Sequence, residues 1–277
     1  MIKYLRLRAI NLSQEFSANL TLLGSTASEE LITILTSNAV RWAKNGWGGY
    51  IKTESSLEIV NPSMTYEDAQ KDMQSLLSFF VLQDVNYTFK THTSWYEYYS
   101  KHLLPPAAHI GQYSGAVASR LMPLNVFDAH ARGKFTTELI KLHQKKINLW
   151  IMLVAPTAFP HTNTSSLHPT WSSAIWSVRI NSKWDQYHNA SAEATWDYFN
   201  NVHQAMNPLR ELTPDMGVSI NEADIWEENQ EDAFWGHENF QRLLDIKHRV
   251  DPDNILTNFG AVGFDKNADR YKCYPEQ

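Results

Sequence analysis

Gly217-Val218-Ser219-Ile220-Asn221-Glu222-Ala223-Asp224 opens the stretch that decides how this chain is read, and it continues as IWEENQEDAFWGHENFQRLLDIKHRVDPDNILTNFGAVGFDKNADRYKC to Cys273. Alternation from Gly217 to Asn221 predicts a short strand, with Ser219 and Asn221 on one face and Val218 and Ile220 on the other. Two polar side chains on one face of a short strand suit a wet pocket. Extended backbone beyond Asn221 would set Glu222 and Asp224 on the same side, roughly 7 Å apart. That spacing admits a carboxylate pair for acid–base work; the stronger competing reading is two acids that brace the following loop. A helix over 237–250 follows, with Phe240, Leu243, Leu244 and Val250 at helical spacing, and Asp251-Pro252 stops it.

Upstream, helical and extended patterns alternate. Leu31, Ile34, Leu35 and Ala39 recur at helical spacing before Trp42, which predicts a helix over 28–44. Gly46-Trp47-Gly48-Gly49-Tyr50-Ile51 opens an extended segment in which the glycines imply close backbone approach or a bulge, and Leu57 to Val60 offers a second strand. Thr65 with Asp68 three residues later forms a capping-box-like start for a helix through Phe80. Strands are expected over 85–90, 117–121, 147–155 and 174–180, the third as a continuous buried run. Helices are expected over 95–103, 135–146 and 190–206. Strands separated by helices, several of them alternating, fit an α+β arrangement: an antiparallel sheet backed by helices.

Composition bounds the function. The chain has 277 residues, 43% of them hydrophobic and 12% aromatic, enough for an ordered core. A net charge of −6 gives no electrostatic reason to expect nucleic acid or an anionic membrane. The longest apolar runs are too short to span a bilayer, and the N-terminus shows no signal-peptide pattern, which leaves the compartment open. The single Cys273 excludes an intrachain disulfide framework and a multi-cysteine zinc site, and none of the 11 histidines shows metal-ligand spacing. No metal is expected.

The stretch from Gly217 to Cys273 resembles the C-terminal segment of the berberine-bridge-enzyme-like, oxygen-dependent FAD-linked oxidoreductases of fungal type. The matching residues are Gly217, Asn221, Glu222, Ala223 and Asp224, then Phe234-Trp235-Gly236, Arg242-Leu243-Leu244, Ile246-Lys247, Asp251-Pro252, Val262-Gly263, Arg270 and Cys273. The Gly46 to Tyr50 phrase and Ser119-Arg120-Leu121-Met122-Pro123 are similar to further phrases of the fungal members. The resemblance covers about residues 40 to 275 and is strongest at the end. It implies the substrate domain of the vanillyl-alcohol-oxidase-like flavoenzymes, a sheet with helices on one face and flavin at the other, plus a C-terminal helical segment. It divides the chain into a substrate-domain-like region, 1–212, and the berberine-bridge-like segment, 213–277, as one compact unit.

The same resemblance implies FAD as cofactor, with Asn221 contacting the flavin and Ser219 beside it. Ser219 stands where the family commonly has a tyrosine, and a serine hydroxyl is a far poorer base than a phenol near pKa ~10. Ser219, Arg120 and Glu222 are the candidate catalytic residues. Arg120 would steady a carboxylate or the charge of a reduced flavin through its forked donors; a salt bridge is the equal alternative. Trp47, Tyr50 and Tyr113 are candidates to line a substrate pocket, with core packing as the alternative for each. The implied chemistry is hydride transfer from a small organic molecule to flavin with O2 as acceptor, in secondary-metabolite biosynthesis, with alkaloid biosynthesis as one kind. No R-S-G-G-H-S-like, G-x-G-x-x-G or P-loop segment occurs in the sequence. The expectation is therefore that the FAD-binding half lies outside this sequence, as a truncated portion or a second polypeptide. Two alternatives stay open: a flavin-free small-molecule binder or isomerase-like degenerate enzyme, and a non-catalytic partner that completes another protein's site.

Overall fold

The computed structural model describes residues 13–21, 23–102, 113–154, 165–185 and 191–272. Seven strands form one sheet in the order β4-β1-β3-β2-β6-β7-β5, and every neighbouring pair is antiparallel. They are β1 (Ser13–Asn19), β2 (Gly48–Lys52), β3 (Ser56–Asn61), β4 (Tyr87–His92), β5 (Tyr113–Pro123), β6 (Asn148–Leu153) and β7 (Ala174–Asp185). The helices are α1 (Ser25–Lys44), α2 (Tyr66–Asp72), α3 (Gln74–Leu82), α4 (Trp95–His102), α5 (Arg132–Gln144), α6 (Ala192–Leu212), α7 (Gln230–Trp235) and α8 (His237–Val250). This is the α+β arrangement that the sequence pattern implies.

Register assigns each side chain to a face. Phe16, Ile59, Ile51, Ile151, Val178 and Ala118 fall on one side and are fully buried or nearly so. Leu35 and Trp42 of α1, Phe80 of α3, Leu139 of α5 and Met206 of α6 join them in one continuous core. The other side carries Tyr50, Lys52, Trp150, Met152, Ser177, Arg179 and Ser119. Their exposure differs along that face, from Tyr50 at 47% to the fully buried Ser119 and Ser177. The 147–155 run therefore corrects an expectation: β6 alternates buried and half-buried residues instead of being buried on both faces. Its outward side chains, Trp150 and Met152, are apolar, so hydropathy alone reads a two-sided strand.

Local chemistry sets the ends of these elements. Thr65 caps α2 by accepting from the Asp68 amide at 3.1 Å. Asp72 then closes that helix as a buried acceptor for the indole N–H of Trp47 at 2.8 Å and the Asn45 amide at 3.0 Å, and it pairs with Arg41. Trp47 is fully buried by this bond. It is a core anchor at the start of β2, and its expected place in a pocket is corrected: a desolvated indole needs its N–H satisfied, and Asp72 does so on the helix side.

Gly49 explains why the glycine-rich phrase is needed. Its φ is +136°, and a Cβ there would run into the carbonyl oxygen of Glu58 on the paired strand. Gly48 has no such conflict, with the nearest atom an ordinary 3.6 Å from a built Cβ. Gly49→Ala is expected to cost roughly 2–4 kcal/mol by combining backbone strain with loss of the β2–β3 approach, whereas Gly48→Ala should stay within about 1 kcal/mol. Urea denaturation followed by tryptophan fluorescence checks both; equal stabilities for the two variants would contradict this account.

Candidate active-site face

The segment after α6 decides which side of the sheet can do chemistry. It leaves the helix layer at Leu212 and runs beside the outer edge of β5, where the Leu121 amide donates to the Gly217 carbonyl at 3.2 Å. Among the described residues only that rung forms along the edge, so the expected Gly217–Asn221 strand is not one. Gly217 to Ser219 is extended without a ladder, and Ile220–Glu222 turns as a short 3-10 helix. Competing polar bonds explain the difference. The Gly217 amide is taken by the Thr170 hydroxyl at 3.0 Å, and the Val218 amide by the Ala233 carbonyl at 3.0 Å.

Gly217 itself is required by His168. A Cβ on Gly217 would lie 2.6 Å from the imidazole Cγ. The His168 Nδ1 in turn accepts from the Thr170 amide at 3.1 Å, so this nitrogen must stay unprotonated to cap the turn that holds Gly217. Burial, with the Arg120 charge adding to it, pushes the imidazole below its ordinary value.

Two charged groups near this segment have opposite addresses. Glu222 accepts from Arg179 Nη1 at 2.7 Å, which pins the 220–222 turn to a β7 side chain on the face away from the helices. Asp224 returns to the helix layer, where it is 2% exposed and accepts from His203 Nδ1 at 2.6 Å and Arg210 Nη2 at 2.7 Å. Glu227 joins this cluster through Arg210 at 2.8 Å and Arg120 at 3.3 Å. The acids thus brace separate contacts, and the paired-carboxylate reading is corrected: the 3-10 turn between them breaks the extended geometry that would set them side by side.

Arg120 is likewise corrected as a candidate for steadying substrate or flavin. Its register partner is Val178, so it points into the helix layer. There it is 4% exposed and donates to the carbonyls of Thr213 and Pro214 as well as to Glu227. Burial pulls its guanidinium below its ordinary value. Burial acts against the Arg210 charge too, but Glu227 and Asp224 outweigh it and hold that group above its ordinary value.

The face away from the helices is chemically varied. At one end α4 covers it, where the buried Tyr98 donates to Glu58 at 2.8 Å and His92 pairs with Glu15. Burial and the Glu58 bond push the Tyr98 phenol well above its ordinary value, so it serves as a fixed donor. At the other end Leu121 packs with Met216 and Trp171. Between them lie Tyr50, Lys52, Trp150, Met152 and Arg179. Lys52 Nζ sits 4.3 Å and the Arg179 guanidinium 5.0 Å from the centre of the Trp150 ring. Beneath them Ser119 Oγ, Ser177 Oγ and Asn181 Nδ2 are buried without a hydrogen-bond partner among the described residues.

Ser219 is half-buried and Asn221 exposed on the turn that Glu222 holds to this face. Tyr113 belongs to β5, and its side chain lies outside the described residues. The residues that sequence reading missed are Lys52, Trp150 and Arg179. Their signal was present as outward positions in alternating strands, but no motif marked them. A separate cleft of about 1020 Å³ lies between the 225–229 loop with the start of α7 and the 259–272 tail, lined in part by Trp235, Phe259, Phe264 and Tyr271. None of Tyr50, Ser219, Asn221 and Glu222 borders it.

Comparison with known proteins places this geometry. Residues 219–262 match the family model described as "Berberine and berberine like". The chain is 26% identical over 237 residues to FAD-linked oxidoreductase OXR2 of Pyricularia oryzae, covering 84% of this chain and 40% of that protein. It is 25% identical over 238 residues to FAD-linked oxidoreductase cheF of Chaetomium globosum, covering 84% and 38%. The chain thus spans about two fifths of the length of these curated relatives. In fold it superposes on the VAO-type flavoprotein MtVAO713 of Myceliophthora thermophila C1 with a TM-score of 0.72 at 18% identity, over 92% of this chain and 48% of that one.

Two predictions follow from the bonds around the turn. Asp224→Ala leaves the buried His203 without its acceptor and Arg210 with Glu227 alone, and should cost about 3 kcal/mol, while Glu222→Ala frees a part-solvated Arg179 and should cost about 1 kcal/mol or less; chemical denaturation ranks them. The His168 effect has a definite sign. The unfolded imidazole takes a proton near pH ~6.5 and the folded one resists, so stability is complete above that value and declines as the pH drops through it. Melting temperature should fall from about pH 7 to about pH 5, and His168→Asn, which keeps an acceptor without titrating, should flatten that slope.

Proposed function

We propose that this chain, a VAO-type fold carrying a berberine-like segment at 219–262, is the substrate-facing portion of an FAD-linked oxidoreductase acting on a small organic molecule of secondary metabolism. The observation that carries this reading is the Glu222–Arg179 pair. It holds the family-matching turn on the sheet face that bears Tyr50, Lys52 and Trp150, with Asn221 exposed there.

The residues present fit the ring end of such a cofactor. A carboxamide offers a donor and an acceptor together, which matches the alternating N–H and C=O groups along an isoalloxazine edge. Trp150 and Met152 give a partly apolar surface for a flat molecule, and the buried orphan hydroxyls below them keep the floor polar. The diphosphate end is different: the sequence has no glycine-rich cradle for it. A flavin supplied with its own binding half would accept a hydride from the substrate and pass the electrons to oxygen.

This chain's side chains would bind and orient. Asn221 would fix the ring edge, and Tyr50 and Trp150 would position the substrate. Ser219 cannot take a proton in place of a phenol, and Tyr98 is committed to Glu58 beneath α4. Substrate oxidation that needs no strong base on the 219 turn suits this face.

The test is a chimera in which this chain replaces the C-terminal portion of a related fungal oxidoreductase. The product should be yellow, with a flavin absorbance band. Asn221→Ala in that chimera should weaken flavin retention or slow its reduction by about tenfold, the equivalent of one hydrogen bond at roughly 1.4 kcal/mol. A folded but colourless chimera would overturn the reading.

A further inference from the structure

The face described above holds an arrangement that the family resemblance does not assign. Lys52 on β2 and Arg179 on β7 are the register neighbours of Trp150 on either side, and both place their cationic heads over its ring, at 4.3 Å and 5.0 Å. Cation–π attraction accounts for either one alone. Two cations over one indole repel each other, and in a partly desolvated site that repulsion is weakly screened.

Their hydrogen bonding is incomplete in a telling way. Arg179 spends Nε on Asn181 at 2.6 Å and Nη1 on Glu222 at 2.7 Å, which leaves Nη2. Lys52 contributes three donors and forms no ion pair or hydrogen bond with any described residue. Glu222 answers Arg179, and Glu58 on the same face accepts from the Tyr98 hydroxyl. Lys52 thus keeps its three donors beside an aromatic floor with no carboxylate partner among the described residues. On the same face the buried Asn181 Nδ2 is a further unmatched donor, and the hydroxyls of Ser119 and Ser177 are unpartnered among the described residues. Unpaired donors, one of them cationic, beside a flat apolar surface complement a flat anion.

We infer that Lys52, Arg179 and Trp150 form an anion-recognition point, and that the substrate is a planar or conjugated organic acid whose carboxylate or enolate oxygen accepts from the free donors of Lys52 and Arg179. This rests on the proposed use of the same face. It adds the charge of the substrate, which neither the fold nor the relatives specify. A carboxylate there would lay its conjugated body along Met152 and its neighbour Tyr50, beside the Trp150 ring, and present its far end to the Asn221 turn.

Calorimetric titration of the chain with 2-naphthoate, its neutral isostere 2-naphthamide and lumiflavin tests this. The naphthoate should bind at least about tenfold more tightly than the amide, the worth of one charge-assisted hydrogen bond. Lys52→Gln should remove that preference, Arg179→Lys should reduce it while retaining the Glu222 pair, and added salt should weaken the naphthoate alone. Circular dichroism confirms that each variant is folded. Equal binding of acid and amide, unaffected by Lys52→Gln, overturns the anion-recognition point while leaving the face itself as a site for flat molecules. If Trp150→Ala changes the binding of none of the three probes, the inference and the wider reading of this face both fail.

Discussion

Arg210 is the fixed point of this structure. From the last turn of α6 it faces Asp224 and Glu227 at once, while Arg120 of β5 reaches the same Glu227 and two carbonyls of the connecting turn. The cluster alternates sign, so each buried charge meets an opposite one, and its remaining hydrogen-bonding positions are largely taken by His203 and backbone groups. A buried arrangement of this kind gives modest net stability against an apolar equivalent, but it is intolerant of losing one member. Its contribution is positional. Among the described residues the C-terminal segment has a single backbone bond to β5, so charge pairing, more than a ladder, fixes where the segment lies.

The functional geometry inherits that placement. Once Asp224 and Glu227 are tied to the helix layer, the three residues before them must loop past the edge of β5, and Glu222 is brought to Arg179. Gly217 allows the approach because His168 occupies the space where any larger residue would put its Cβ. A sheet with helices packed on one face and a polar, aromatic surface between α4 and this loop on the other is the result. The surface is assembled from four strands and a loop, and no contiguous stretch of sequence contains it.

That assembly explains what was legible beforehand. Helix α1, the Thr65 cap, the strands β2 and β3 and helix α8 are set by local periodicity and capping, and they appear where the residues say. Strand β1 gave no such signal, because Gln14 and Glu15 are buried polar residues in a strand with few apolar positions. The 217–221 segment alternates as a strand should, yet long-range partners, Thr170 and Ala233, claim its amides first. Trp47 and Arg120 show the same limit from the other side: each is a residue type that often lines sites, and each is withdrawn by a partner distant in sequence, Asp72 in one case and Thr213 with Glu227 in the other. Lys52, Trp150 and Arg179 are ordinary residues until strand order β2-β6-β7 sets them in a row.

Strand β5 carries a last consequence. Successive residues of its Ser119-Arg120-Leu121 stretch look in opposite directions, and the one aimed at the helices is a guanidinium whose acceptors all lie on that side. A slip of one residue would swing the cation toward Trp171 and Met216 and bury a serine or leucine among the acids it left behind. Pairing with β7 stays continuous to a bulge at Met122/Pro123, so no irregularity upstream could absorb such a slip. Alignment of this edge is therefore keyed by electrostatics, and two unrelated surfaces, one structural and one open to ligands, are indexed to each other by a single side chain.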